Sequence, residues 1–482
     1  MGVLTTYEPK EVLTFFEEIC GIPHGSGNVT MISDYLVNFA KERGLKYRQD
    51  DAKNVIIWKD GTAGYENSAP VIIQGHMDMV AVKESGLEKD MKTEGLDLEV
   101  LDGDWISAKG TSLGGDDGIA VAYGLALLDS DSIPHPPLEV VITVDEEIGM
   151  LGAAAMDCSD LKGRLVLNID SEEEGIFTVS CAGGLSTICR IPYDSEEKTG
   201  TIVNVKLSGF CGGHSGVEIN KGRLNSNIVM GRLLQAADDE SLQLVTISGG
   251  EKENVISPVS EAKLLIAPEK ADLFLDAFQA EFALIKEEYK TVESGLQVTI
   301  CKEENQTVSC FTKESTEKII AILMNIPNGI QRMNPDMPEM VQTSLNLGVV
   351  ETVDGMVVLT NGLRSSSDSE KMYLLHRMES FIGLFGGSVE VEGNYPGWEY
   401  RAESYLRDIC LAVYREQYGD EPVVEGIHAG LECGLFASKM DDLDCISYGP
   451  NMRDIHSFKE LLSISSVGRT WELTKNILKK LQ

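Results

Sequence analysis

Long apolar runs, basic residues and closely spaced cysteines are all scarce in this sequence, and each scarcity removes a class of function. No uninterrupted apolar stretch approaches the roughly 18 residues that a membrane helix needs, so no membrane partner is expected. Only 41 Lys and Arg face 77 Asp and Glu, a net charge of −36. Such a surface repels nucleic acid and anionic lipid, and no phosphate loop or basic groove offsets it. The ten cysteines are scattered, with no CxxC pair. That reads as reduced thiols in a cytoplasm, not as a disulfide framework. The first twenty residues, MGVLTTYEPKEVLTFFEEIC, lack a basic leader and close as an amphipathic acidic helix, so no secretory signal is expected.

What is present is a long chain of ordinary apolar content, 482 residues, enough for two or three domains with a large core. Up to about Gly184, short runs rich in Val, Ile and Leu (Val71–Gln74, Leu138–Val144, Arg164–Ile169) alternate with helices such as the apolar Gly118–Ser130. That is the pattern of an α/β domain with a mainly parallel sheet. From Leu185 to Asn394 the texture changes to half-exposed strands and longer helices, in an element order that recurs once. Two similar α+β units, side by side, are expected there. GNYPGWEY, Gly393–Tyr400, marks a linker, and the helices and strand beyond it suit the first domain. The expected fold class is therefore α/β: a mainly parallel-sheet catalytic domain, residues 1–185 and 396–482, with an inserted α+β lid domain of two similar halves, residues 186–395.

The chemistry collects where the strands end. Val71–Gln74 is followed by His76 and Asp78, Leu138–Val144 by Asp145, Glu146 and Glu147, and Arg164–Ile169 by Asp170. The late strand Asp444–Ser447 leads to His456, and Asp116 and Asp117 sit between glycines just before a helix. In open α/β sheets the carboxyl ends of the strands face the ligand crevice. A carboxylate after a strand is by itself most often a helix cap or turn residue, and the DEE stretch alone reads as a solvated turn. Together the two histidines and several carboxylates, with no cysteine, form an oxygen and nitrogen donor set that suits zinc, manganese or cobalt. The set exceeds what one tetrahedral ion uses, so two cations are expected, with Asp116 as the candidate bridge. Adjacent residues past a strand end can diverge, so of Glu146 and Glu147 one can bind metal while the other works as a base.

GHMDMV, GGDDGIA, DEEIGMLGA, NIDSEEEG, GGHSGVEI, HAGLECG and DIHS, in this order along the chain, resemble the motifs of the M20-type metallopeptidases. The resemblance implies two zinc ions, with manganese or cobalt as alternatives. It implies His76, Asp116, Glu147, Asp170 and His456 as ligands, Asp116 bridging and joined to Asp117 by a cis peptide. Asp78 would orient His76, since a carboxylate on the far ring nitrogen fixes the tautomer, and Glu146 would be the general base. In the inserted domain it implies His214 as oxyanion donor, with Asn346 and Arg364 as substrate clamps. HAGLECG would line the substrate's carboxyl end, with His428 and Glu432 as candidate contacts. The implied activity is hydrolysis of dipeptides with free termini, including the Xaa-His and β-alanyl-histidine type, in the cytoplasm, by a protein that can form a homodimer through the lid. An N-acyl amino acid deacylase of the same family is the near alternative, and a non-catalytic relative the remote one. His24, His135 and His376 lie outside these clusters and read as structural or solvated.

Overall fold

The computed structural model describes residues 2–482, which form two compact units. The first holds the chain up to Cys181, Tyr400–Gly426 and Leu431–Gln482; the second holds Ala182–Glu399 and Ile427–Gly430. Ile427–Gly430, expected in the closing part of the first domain, groups with the second unit and takes His428 with it.

In the first unit α1 (Lys10–Cys20) buries Val12, Phe15, Phe16 and Ile19, and α2 (Thr30–Glu42) buries Ile32, Leu36 and Phe39. Both follow the spacing of one helix face. The hairpin β1 (Lys46–Gln49) and β2 (Val55–Lys59) precedes β3 (Val71–His76), which is buried along its whole length. The antiparallel pair β4 (Leu98–Leu101) and β5 (Trp105–Ala108) leads to α3 (Gly115–Asp129), buried on nearly every side. Gly75 permits this packing: a Cβ there would lie 2.4 Å from Ala120 Cβ and 2.5 Å from Asp117 Oδ2. Then come β6 (Leu138–Thr143), the short α4 (Leu151–Ala155), β7 (Leu165–Asn168) and β8 (Ile176–Cys181).

The second unit runs β9 (Gly183–Pro192), β10 (Ser195–Ser208), α5 (Ser226–Ala236), β11 (Gln243–Gly249), β12 (Ser260–Ile266), α6 (Ala271–Glu288) and β13 (Gln297–Phe311). It continues with α7 (Lys313–Asn325), β14 (Gly329–Met333), β15 (Val341–Val353), β16 (Met356–Ser365), α8 (Asp368–Leu384) and β17 (Ser388–Tyr395). All nine strands join one sheet, in the order β13-β10-β12-β11-β15-β16-β9-β17 with β14 beside β15. Its halves share a topology. β10-α5-β11-β12-α6-β13 and β9-α7-β15-β16-α8-β17 each place the last strand outermost, then the first, third and second. They meet at a single β11–β15 pairing, Gly249 to Val350. The halves lie side by side in the sheet and are nested in the chain: the first lies between β9 and α7 of the other. In a linear reading β9 and β10 look like one hairpin, whereas β9 pairs with β16 and β17. Asp354 and Gly355, at φ 41° and 80°, make the two-residue turn between β15 and β16 that this conformation suits. Ile191, Val203, Leu264, Phe278, Leu345 and Leu359 belong to one apolar core beneath the sheet.

The returning chain completes the first unit with α9 (Tyr405–Tyr418), β18 (Val423–Ile427), α10 (Glu432–Lys439), β19 (Asp444–Ser447), β20 (Met452–Arg453), β21 (Leu461–Ser463) and α11 (Ile464–Lys480). Its main sheet has the order β1-β2-β6-β3-β7-β19-β8-β18. The parallel part is the central four strands, β6, β3, β7 and β19; β2 and β8 run antiparallel to their central neighbours. Register puts His76 beside Thr143, and both Gln74 and Ser447 beside Asn168. Whatever follows these strands therefore emerges along one edge.

Candidate metal centre

Along that edge the chain delivers its charged groups. His76 ends β3, Glu146 and Glu147 lie just past β6, and Asp170 lies just past β7. His456 sits at φ 59° in the loop between β20 and β21, and Asp116 sits at the start of α3. Asp116 turns one oxygen to each histidine: Oδ1 is 3.1 Å from His76 Nε2 and Oδ2 is 3.1 Å from His456 Nε2. Glu147 Oε2 lies 2.9 Å from His456 Nε2, and Asp170 Oδ1 lies 3.8 Å from His76 Nε2. The Asp116–Asp117 peptide is cis.

Asp78 lies at the far ring nitrogen of His76, as expected, with its main chain closer than its carboxylate. His76 Nδ1 is 3.0 Å from the main-chain carbonyl of Asp78 and 3.5 Å from its carboxylate. The carboxylate is occupied with the turn after β6: it accepts from Ser26 Oγ at 2.8 Å, Glu146 N–H at 3.0 Å and Glu147 N–H at 3.4 Å. Asp78 thus ties the histidine strand to the Glu146–Glu147 turn. Asp117, adjacent to the expected ligand, is also part of the assembly. Its Oδ2 accepts the His76 N–H at 3.1 Å, and its buried Oδ1 has no protein partner.

The protonation pattern reflects crowding. Burial opposes charging His76, yet the carboxylates of Asp116 and Asp78 outweigh it and lift the imidazole well above its usual range. Asp116 and Glu147 push His456 up to about 10, and both histidines hold Asp116 low despite its burial. Burial lifts Asp170 well up, with the Asp117 charge adding to it. Burial also raises Glu146 to about 7; His76 opposes the rise, while Asp116 and Glu147 add to it. Two groupings bring their donor atoms within 4.8 Å of one another: His76, Asp116 and Glu147, and His76, Asp117 and Asp170. Glu147 Oε1 is buried without a protein partner. Imidazole nitrogens and carboxylate oxygens at this density, with an orphaned oxygen among them, fit divalent cations with mixed donors.

Glu432, a candidate contact for the substrate's carboxyl end, lies inside the sheet domain. It opens α10, is 0% exposed, and sets its Oε2 2.5 Å from Gln74 Nε2 and 2.6 Å from Thr143 Oγ1. Burial, with the Glu146 charge adding to it, pushes its carboxyl up to about 8. Its Oε2 is thus taken up by neighbours on β3 and β6, while its Oε1 is buried without a partner.

In the second unit His214 lies on a glycine turn, with Gly213 at φ 124°. Its Nδ1 accepts from the N–H groups of Gly216 at 3.2 Å and Val217 at 3.3 Å. That leaves the ring proton on Nε2. Burial and the Arg364 charge lower its pKa. His428 Nε2 is 2.7 Å from Ser344 Oγ, and burial together with Arg364 pushes it down to about 3. Arg364 donates to Tyr395 Oη at 3.2 Å. Asn346, expected as a clamp, has its amide committed elsewhere: Nδ2 donates to the carbonyls of Glu253 at 2.9 Å and Val255 at 2.8 Å, and Oδ1 accepts from Asn225. It braces the segment around Asn254, whose carbonyl accepts the Ser215 N–H at 2.9 Å. Asn254 was missed in the sequence. Its Oδ1 is buried and unpartnered beside the His214 loop, and GEKENVIS carries no motif that would single it out.

Residues 72–480 match the profile of Peptidase family M20/M25/M40. The chain belongs to this family of peptide hydrolases. It is 35% identical to the cytosol non-specific dipeptidase of Escherichia coli K12 over 484 residues, covering 100% of this chain and 99% of that protein. The crystal structure of the aminoacylhistidine dipeptidase from Vibrio alginolyticus matches with a TM-score of 0.93 at 34% identity, over 99% of this chain and 98% of that one. The aminopeptidase PepT from Bacillus cereus shares the fold, with a TM-score of 0.57 at 15% identity over 98% and 99% of the two chains. Among the described residues no helix is long and apolar enough to cross a membrane.

Proposed function

We propose that the protein is a dipeptidase working with two divalent cations, zinc first, with manganese and cobalt as alternatives of the same donor preference. The observation that carries it is Asp116, whose two oxygens each stand 3.1 Å from a different imidazole, with the half-buried Glu146 nearby. His76 and Asp170 would hold one cation, Glu147 and His456 the other. Bound there, such cations polarise a peptide carbonyl and acidify water. Glu146 takes the proton of the attacking water and hands it to the leaving amine. His214, neutral with its proton on Nε2, has the form needed to donate to the developing oxyanion. Arg364 suits the free carboxylate of the substrate, which a guanidinium grips with two parallel hydrogen bonds. Xaa-His and β-alanyl-histidine dipeptides are the substrates we would test first.

The names of the two full-length relatives support free dipeptides as the substrate class. We place the protein in the cytoplasm on the same grounds, and assign a homodimer through the second unit, which a solution mass checks. The deciding experiment is metal analysis of the purified protein with parallel assays on free dipeptides and N-acetylated amino acids. Two equivalents of metal and hydrolysis of dipeptides alone are expected. Preference for the N-acetyl compounds would make it a deacylase, and no hydrolysis with added zinc or manganese would make it a non-catalytic relative.

A further inference from the structure

Glu460 stands outside the donor set, four residues beyond His456 in the segment leading into β21, and is 3% exposed. Its two oxygens take four consecutive backbone N–H groups. Oε2 accepts from Leu113 at 2.7 Å and Gly114 at 3.0 Å; Oε1 accepts from Gly115 at 2.8 Å and Asp116 at 3.4 Å. A concave row of amides at a helix start is an anion site, and here the anion is the protein's own carboxylate. The fit depends on backbone closeness. Gly114 sits at φ +69°, and a Cβ on Gly115 would come within 3.3 Å of both Glu460 Oε1 and Met452 Sδ. The last of the four amides belongs to Asp116, whose side chain faces both histidines.

We propose that Glu460 is a positioning residue of the two-cation centre, holding the main chain from which Asp116 projects so that its two oxygens reach both ions. The inference rests on the two-cation reading above. It explains why a carboxylate is buried at this place: one side chain secures the bridging aspartate while sharing a short loop with the second histidine.

The test is a Mn2+ titration of the metal-stripped full-length protein, followed by paramagnetic resonance. Glu460→Gln keeps the volume but turns one oxygen into an amide group that faces N–H donors instead of accepting from them. Wild type should bind two ions and show a spin-coupled pair. In Glu460→Gln at least one ion should bind about 10–100-fold more weakly, the signal at equal loading should be that of isolated ions, and excess Mn2+ should restore turnover with KM for the dipeptide unchanged. A variant that melts earlier when metal-free, yet binds two ions with wild-type affinity and a coupled signal, overturns the proposal. If Glu460→Gln does not fold, Gly114→Ala serves instead, because a side chain at φ +69° and 2.8 Å from Met79 Sδ must shift the amide row against the carboxylate while leaving every charge in place. The same weakening and loss of coupling are expected, and wild-type binding overturns the proposal. Fewer than two ions on the wild type would overturn the two-cation reading itself, and this proposal with it.

Discussion

Glu146 and Glu147 are chain neighbours with different surroundings. Glu147 points an oxygen at His456, whereas burial in the protein matrix lifts Glu146 to about 7, a rise that cations bound beside it would oppose. Glu146→Gln should lower kcat by about 10²–10⁴-fold while metal content, measured on the same preparation, stays at wild type. Asp78→Ala removes the acceptor for Ser26 and for two amides of the turn. Cation affinity should fall about 10–100-fold and kcat should fall with it, because the turn carries both glutamates; a chelator competition assay beside steady-state kinetics reads both. His428 offers a pH test. Its folded pKa, about 3, lies below the ordinary value near 6.5, so the unfolded chain binds the extra proton. The stability it contributes is complete above about pH 6.5 and is lost as pH falls toward 3, by at most about 1.4 kcal/mol per pH unit. Urea unfolding at pH 6.5 and 4.5 should show a smaller pH loss in His428→Gln than in wild type.

At the scale of elements, β3 and α3 are held together by an absence of side chain. Gly75→Ala would drive a methyl into Ala120 and Asp117 one residue before His76. A loss of roughly 1–3 kcal/mol is expected for such overpacking, seen in urea unfolding and accompanied by weaker metal binding. The strand-end donors were legible in the sequence because a polar residue immediately after an apolar run is a local signal. The surroundings of Glu432 and Asn346 were not legible for the opposite reason: what their side chains bond is decided by elements far away in sequence. Gln74 and Thr143 meet Glu432, and the Glu253–Val255 segment meets Asn346. Asp78 was half legible, since its nearness to His76 is local but its hold on the 146–147 amides is not. Glu460 left no signal in the sequence, because its partners are backbone amides some 345 residues away.

For the whole molecule, the net charge of −36 sets a field that every substrate must cross. Doubly acidic dipeptides should meet repulsion that salt screens. KM for Glu-Glu should therefore fall between about 20 and 200 mM salt, where the Debye length shrinks from roughly 20 to 7 Å, and KM for Ala-Ala should hardly move. Size also explains what could not be read in advance. The parallel centre of the main sheet takes β6, β3 and β7 from before the second unit and β19 from after it, and no window of sequence contains that pairing.

The nesting of the second unit bears on synthesis. β9 is made early, but its partners β16 and β17 begin at Met356 and Ser388. About 160 residues separate it from the first of them, roughly 10–30 s of translation. Meanwhile the inner half, complete at Phe311, has all of its own strands and can close alone. For that interval Leu185, Ile188 and Ile191 stand on a strand with both edges unclaimed, a template for pairing with other chains. The ribosome-bound chain should be most vulnerable to aggregation, and most in need of a holdase, between the emergence of β9 and that of β16.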